Sequence, residues 1–201
     1  MTPTQTPAPE PVHLPDLAGQ ALAEMGGVLG QLDGNLAGRF VEEVQASART
    51  ALYGVGREGL VMRSLAMRLH HAGKRAFVVG DMAAEPLGAG DLLIVSAGPG
   101  DFATVRALLG VARQAGARTM IFSAVPGGQS AEQADVLLHL PAQTMHSDQT
   151  VHSDRAASSV LPMGSLYELS LWLLCDLLIE QLKVAEQIDP ERMRARHTNL
   201  E

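Results

Sequence analysis

A strand pattern, a glycine-rich turn and a helical pattern follow one another between positions 91 and 112. Residues 92 to 95 are all apolar, which is typical of a strand buried on both faces of a parallel sheet. The turn that follows, residues 96 to 101, reads Ser-Ala-Gly-Pro-Gly-Asp. Ligands of open parallel sheets bind outside such strand ends, where a helix N-terminus offers free N–H groups. The turn is therefore predicted either to bind an anionic ligand or to be a plain connector in which Asp101 caps the next helix.

The same alternation recurs along the chain and predicts the fold class. Two helices joined near Gly34 are predicted first, and another helix is predicted over residues 60 to 71. Because strand patterns alternate with helices or turns, we expect an α/β protein: a three-layer α/β/α sandwich with a five-stranded parallel sheet. The strand patterns cover residues 50–55, 76–79, 92–95, 118–122 and 135–140.

Composition fits one such domain and excludes several classes of function. A chain of 201 residues with 46% hydrophobic and 18% charged residues is globular, and only 3% of the residues are aromatic, so the core must be aliphatic. The formal net charge of -7 gives no broad attraction for nucleic acid or for an anionic membrane, and we expect neither partner. A single cysteine, Cys175, excludes an intramolecular disulfide and a multi-cysteine zinc site.

The two ends of the chain carry different predictions. Residues 1 to 16 contain five prolines and no Lys or Arg, which predicts a flexible tail before a single domain over residues 17 to 201. The tail lacks the basic start and apolar core of a signal peptide, so we expect a cytoplasmic protein.

Near the other end, residues 165 to about 188 form a helix that is apolar on nearly every side. Such a helix must be buried all round, which in a small domain predicts packing against another subunit, with Trp172 and Cys175 in the core or interface.

Residues 141 to 162 form the longest segment without a pattern, and a loop of this length is more often functional or mobile than incidental. It is a candidate to close over a site. Its His146, Asp148, His152 and Asp154 are possible metal ligands. Isolated His/Asp clusters in polar loops are more often solvated surface, so no metal or cofactor is predicted.

Five sequence blocks, taken in order, resemble the 6-phospho-3-hexuloisomerases, a branch of the sugar-isomerase (SIS) domain superfamily. They lie at residues 54–57, 66–73, 90–94, 162–168 and 196–201. The resemblance covers residues from about 20 to 201, and its most specific parts are Pro-Met-Gly-Ser-Leu-Tyr-Glu, ending at Glu168, and the terminal Arg-His-Thr-Asn-Leu-Glu. It implies a flavodoxin-like SIS fold, usually tetrameric, that interconverts a 3-ketohexose 6-phosphate with fructose 6-phosphate without a cofactor. The alternative is a non-catalytic, regulatory sugar-phosphate binding module of the same superfamily.

The resemblance also assigns catalytic roles. Glu168 matches the family's glutamate and is the candidate base for proton transfer through an enediol, against a plain first-turn glutamate that complements the helix dipole. His71 matches a family histidine that can open the sugar ring or polarise an oxygen, against a helix-capping role. His197 is a candidate for reaching the site of a neighbouring subunit in a homodimer or homotetramer, against a frayed terminus.

This chain departs from the family where the phosphate is usually held. The family's Ser-Gly-Ser-Gly-x-Thr run has lost two hydroxyl donors here, replaced by Pro99 and Phe102, and Glu58 stands where serine is usual. We expect Glu58 to repel phosphate unless Arg57 pairs with it. A substrate that carries no phosphate at this position is therefore a further possibility. The candidate substrate-binding residues are Gly56, Arg57, Glu58, Ser96, Gly98, Gly100, Asp101 and Ser123.

Overall fold

A computed structural model describes residues 13–145 and 159–200. The helices are α1 (Leu14–Leu29), α2 (Leu36–Ala46), α3 (Gly56–His71), α4 (Ala103–Gln114), α5 (Gln129–Gln133), α6 (Ser165–Glu186) and α7 (Pro190–Arg194). The strands are β1 (Thr50–Gly54), β2 (Ala76–Val78), β3 (Leu92–Ser96), β4 (Arg118–Ser123) and β5 (Val136–His139).

The five strands form one parallel sheet in the order β2-β1-β3-β4-β5, which confirms the predicted fold class. From β1 the chain continues to β2 at one edge of the sheet. From β3 it continues in the opposite direction, to β4 and then to β5 at the other edge. Gly54 and Ser96 are register partners at the carboxyl ends of these two central strands. The loops that follow them therefore diverge and leave a crevice, which is where doubly wound sheets bind ligands.

Apolar side chains cover both faces of the sheet. Helices α1, α2, α3 and α6 pack on one face around Leu52, Ile94 and Phe122. Helices α4 and α5 pack on the other face around Leu93, Val95 and Ile121, so the core is largely aliphatic, as predicted. Every residue of β3 is buried, which agrees with the apolar run over residues 92 to 95 and extends to Ser96 at the end of the strand.

Helix α3 begins at Gly56, four residues before the predicted start at residue 60. The prediction missed this because glycines obscured the pattern. A Cβ on Gly59 would lie 2.5 Å from the Gly54 carbonyl oxygen, so the end of β1 and the first turn of α3 touch backbone to backbone. Gly56 itself has a φ of 57°. This tight junction places Arg57 and Glu58 in the first helical turn, directly above the sheet.

The prediction that Asp101 caps α4 is wrong. Phe102 is the N-cap residue, and no side chain caps this helix. Asp101 instead accepts a hydrogen bond of 2.9 Å from the Ser130 hydroxyl and forms an ion pair of 3.2 Å with Arg106. These contacts tie the turn after β3 to the start of α5.

Helix α6 is only partly buried within one chain, and the predicted packing of its other face against another subunit stays a prediction. One face packs into the core and includes Cys175, whereas four large apolar side chains remain 38–47% exposed. These four are Leu169, Trp172, Leu173 and Leu177, which we call the α6 stripe; Val184, near the end of the helix, is 75% exposed.

Several predicted features fall outside the described residues. Helix α1 begins at Leu14, and residues 1 to 12 of the predicted tail are not described. The same holds for residues 146 to 158, which include the whole His/Asp cluster of the long loop. Within residues 13–145 and 159–200, no helix has the length and hydropathy needed to cross a bilayer.

Candidate active site

A cavity of about 180 Å³ lies at the carboxyl ends of β1 and β3. It brings together the first turns of α3 and α6 and the turn after β3, which are far apart in sequence. The lining residues are Val55, Gly56, Arg57, Glu58, Pro99, Phe102, Thr144, Met145, Met163, Gly164, Tyr167 and Glu168. The crevice predicted from the strand order is therefore lined by charged side chains from two helices.

Arg57 and Glu168 form an ion pair at one side of this cavity. Arg57 Nε lies 2.9 Å from Glu168 Oε2, and Arg57 Nη1 donates a hydrogen bond of 2.9 Å to the Ser165 hydroxyl. Although the two atoms are close, they do not form a hydrogen bond. The buried Oε2 accepts no hydrogen bond from a described residue. Burial raises the pKa of Glu168, and the charge of Arg57 opposes that rise only in part. A raised pKa makes the ionised Glu168 a stronger base than a free carboxylate.

Glu58 lies deeper, with 7% of its surface exposed. Its Oε2 accepts hydrogen bonds from the Ser96 hydroxyl and from the Gly98 N–H, the latter at 3.0 Å. Burial raises the pKa of Glu58 to about 7, although these two hydrogen bonds lower it. The nearby charge of Glu168 raises it further. Arg57 forms its ion pair with Glu168 and not with Glu58. The pairing that we expected to let Glu58 tolerate a phosphate group is therefore not formed.

Tyr167 completes this group of buried polar side chains and was not among the predicted site residues. Its hydroxyl lies 3.2 Å from Ser96 Oγ, and since the Ser96 proton goes to Glu58, the phenol is the donor. Its ring covers Gly98, where a Cβ would lie 2.8 Å from the ring carbons. Burial raises the pKa of Tyr167 well above its ordinary value, so the phenol keeps its proton. The residue precedes Glu168 in the most specific sequence block, and this position is the sequence signal that could have identified it.

Of the predicted binding residues, Gly56, Arg57 and Glu58 line the cavity. The other five do not line it: Ser96, Gly98, Gly100, Asp101 and Ser123. Ser123 Oγ accepts a hydrogen bond of 3.1 Å from the Val125 N–H and also donates to the Val125 carbonyl, which shapes the turn after β4. Gly100 has a φ of 88° and packs against Gly128, where a Cβ would lie 3.0 Å from the Gly128 Cα. Gly100 and Ser123 therefore shape the turns after β3 and β4.

His71 and His197 lie together at the far end of α3. Their rings stack with centroids 5.3 Å apart. The helix has 16 residues, so its two ends are about 20 Å apart and neither histidine reaches the cavity of its own chain. Burial, followed by the charge of His197, lowers the pKa of His71. Their catalytic roles stay predictions that require a second copy of the chain.

Metal binding finds no support among the residues that the structure describes. No three or more of their His, Cys, Asp and Glu side chains are grouped so as to hold an ion.

The buried Glu58 predicts a pH dependence of stability. The carboxyl ionises near 4.5 when unfolded and near 7 when folded, so between these values only the folded state keeps the proton. Its contribution is fully present below the unfolded pKa and is lost as pH rises through the folded pKa, by about 3 kcal/mol in total. We expect urea titrations from about pH 5 to about pH 8 to show this loss in the wild type and not in Glu58→Gln. The exposed-site control Glu42→Gln should keep the wild-type slope; equal slopes for Glu58→Gln and wild type would contradict the assignment.

Comparisons with known proteins agree with the geometry. No family model matches the chain. The 3-hexulose-6-phosphate isomerase of Bacillus subtilis (strain 168) is 33% identical over 168 residues, which cover 82% of this chain and 86% of the relative. The enzyme of the same name from Methylomonas aminofaciens is 36% identical over 164 residues, with 81% and 86% covered.

A solved structure of similar shape comes from Methanococcus jannaschii, a hypothetical protein whose structure was used to infer 3-hexulose-6-phosphate isomerase function. It superimposes with a TM-score of 0.76 at 23% identity and covers 92% of this chain and 98% of its own, which supports the fold. The identity to the two named relatives, across more than four fifths of each, supports the sequence resemblance. The chain belongs to the 3-hexulose-6-phosphate isomerase family.

Proposed function

We propose that this protein isomerises a ketohexose, free or phosphorylated, by moving its carbonyl between neighbouring carbons through an enediol. The observation that carries the proposal is Glu168, a largely buried carboxylate of raised pKa that lines a cavity at the switch point of the sheet. Its family's named activity requires one base to shuttle a proton between adjacent carbons, and a positioned carboxylate suits that task.

Glu168 is equipped for this role by its surroundings. Its side chain is 17% exposed, so a sugar entering the cavity excludes the remaining water. Its Oε2 is buried beside Arg57 Nε at 2.9 Å and accepts no hydrogen bond from a described residue. The charge of the nearby Arg57 opposes the rise in the pKa of Glu168 and so favours the carboxylate form that a base needs before it can accept the proton from carbon.

Arg57 has a second task in this proposal. Its Nη1 is fixed by Ser165, and its side chain is 56% exposed, so further N–H groups of the guanidinium face the cavity mouth. A fixed cation beside the reacting carbons stabilises the negative charge that develops on the enediolate oxygens. Arg57 would thereby both tune the base and stabilise the intermediate.

The assembly forms a further part of the proposal. The α6 stripe exposes four large apolar side chains on one helix, and a second copy of the chain would bury them. A homodimer or homotetramer would also bring the His71 and His197 pair of one copy within reach of another copy's cavity. We propose that these histidines then act on the sugar oxygens, and that the enzyme works in the cytoplasm, as the sequence predicts.

Isotope exchange tests the catalytic proposal. The protein is incubated in deuterated water with fructose and, separately, with fructose 6-phosphate, and deuterium at C3 is followed by NMR. We expect exchange with at least one of the two sugars, and a loss of about 100-fold or more in Glu168→Gln, because the amide cannot accept the proton.

Glu180→Gln is the matched control. Glu180 lies on the same helix but is exposed and pairs with Lys183, so its loss should leave the exchange rate unchanged. Binding of a sugar without any exchange would contradict the enzyme and favour the non-catalytic binding module.

Sedimentation velocity tests the assembly. We expect the wild type to sediment as a dimer or tetramer at micromolar concentration and Trp172→Asp to dissociate, because a charge in the stripe must lose its hydration. Val111→Asp is the control, since Val111 is 61% exposed on α4, outside the stripe. A monomeric wild type, or equal effects of the two substitutions, would contradict the proposed interface.

A further inference from the structure

Glu58 and Glu168 line the same cavity, one from the first turn of α3 and the other from the first turn of α6. In the proposed function, Glu168 moves a proton between two carbons. Moving a carbonyl also requires that one sugar oxygen gains a proton and the neighbouring oxygen loses one, and a positioned acid performs that task. The sugar oxygens therefore need a proton donor of their own.

Two other titratable side chains of the described lining are poorly suited to this task. Arg57 does not give up its proton in proteins. The Tyr167 hydroxyl is buried and donates to Ser96, and burial raises its pKa well above the ordinary value. Among the described residues that line the cavity, Glu58 is left as the candidate donor.

The surroundings of Glu58 favour its protonated form. The residue is 7% exposed, and its hydrogen-bond donors, the Ser96 hydroxyl and the Gly98 N–H, are both neutral. Burial raises the pKa of Glu58 to about 7, and the charge of Glu168 adds to the rise. Arg57 pairs instead with Glu168 and favours the carboxylate there. Neighbouring carboxyl groups with opposite preferred charge states are the arrangement in which one acts as acid and the other as base.

The hydrogen bonds of Glu58 also place its proton. In a protonated carboxyl group one oxygen carries the O–H and the other remains an acceptor. Both donors from the turn after β3 go to Oε2, so the proton lies on Oε1, which accepts no hydrogen bond from a described residue. A Cβ on Gly98 would lie 3.1 Å from Oε1, so the glycine leaves space beside this oxygen. The proton is therefore available to a ligand in the cavity.

We propose that Glu58 is the general acid of the isomerisation: it protonates the carbonyl oxygen of the sugar while Glu168 takes a proton from the adjacent carbon. This inference rests on the proposed function and adds a second catalytic residue to it. It also gives a task to the glutamate that departs from the family pattern at position 58.

The proton transfers balance without a co-reactant. With fructose or fructose 6-phosphate, Glu168 removes the proton from C3, the electron pair forms the C2–C3 double bond, and O2 takes the proton of Glu58. Arg57 stabilises the charge that develops on the oxygens during this step. The Glu58 carboxylate then removes the proton from O3, the carbonyl forms at C3, and Glu168 gives its proton to C2. Both glutamates end in the states in which they began.

The pH dependence of deuterium exchange at C3 tests this role. Exchange is followed by NMR from about pH 5.5 to about pH 9, with whichever of fructose and fructose 6-phosphate the wild type exchanges faster. The base must be ionised and the acid protonated, so the wild-type rate should rise through the pKa of Glu168 and fall through the pKa of Glu58, near 7. Arg57 and Tyr167, which line the cavity with them, keep their protons over this range.

Glu58→Gln should lose this alkaline fall and keep the acid-side rise, because the amide neither ionises nor gives up a proton. We expect its exchange rate at pH 6 to be about 100-fold below the wild type, with KM changed less than about threefold. Glu42→Gln removes an exposed charge on α2 and should keep the wild-type rate and profile. Circular dichroism at each pH confirms that the proteins are folded. A purely structural role would slow the variant without removing the alkaline fall.

Two results would overturn the inference, and they differ from each other. An alkaline fall that persists in folded Glu58→Gln, or a rate within twofold of the wild type, rejects Glu58 as the acid and leaves Glu168 as the base. Absence of exchange by the wild type with either sugar contradicts the isomerase itself, and the general acid with it. The first failure requires an active wild type, so it is distinguished from failure of the proposed function.

Discussion

The pair of hydrogen bonds from Ser96 and the Gly98 N–H to Glu58 is the interaction on which the site depends. It joins the two central strands of the sheet at the point where their connections diverge. The bonds form only because α3 starts immediately after β1, which in turn requires the backbone contact between Gly54 and Gly59. A buried carboxylate without donors would cost several kcal/mol, so the turn after β3 and the start of α3 stabilise one another.

The cavity holds two carboxyl groups whose surroundings differ in kind. Glu58 is buried and held by two neutral donors, and its pKa is about 7. Glu168 lies closer to solvent beside Arg57, and its pKa is raised without a hydrogen bond to its buried oxygen. Different environments for neighbouring carboxyl groups are how active sites divide tasks between them. Here the difference is that Glu168 lies beside the charge of Arg57, whereas Glu58 is held by neutral donors alone among the described residues.

Local pattern was enough to predict the sandwich and its parallel sheet, because each strand is marked by its own apolar run. The errors came where tertiary contacts override that pattern. Glycines hid the first turn of α3, and Asp101 pairs with Ser130 instead of capping α4. Each outcome depends on a tertiary contact that the local pattern does not contain.

For the site, the sequence predicted several of the residues but not the contacts between them. Glu168, Arg57 and Glu58 were identified as candidates from the sequence blocks, but their pairing was not, since Arg57 and Glu168 are joined only by the packing of α3 against α6. Tyr167 was missed because its role requires the strand order that places Ser96 beside it. The unexpected glutamate turned out to be bound inside the protein, which no linear motif can reveal.

The central claim is that Glu58 is a buried acceptor shared by the Ser96 hydroxyl and the Gly98 N–H, and the amide of Gly98 reports on it directly. The ¹H and ¹⁵N shifts of this amide, followed by NMR as a function of pH, should move with a midpoint near 7, because the N–H donates to the titrating carboxyl. The same amide should not titrate in Glu58→Gln. A midpoint near the ordinary glutamate value of 4.5, or no pH dependence in the wild type, would contradict the account.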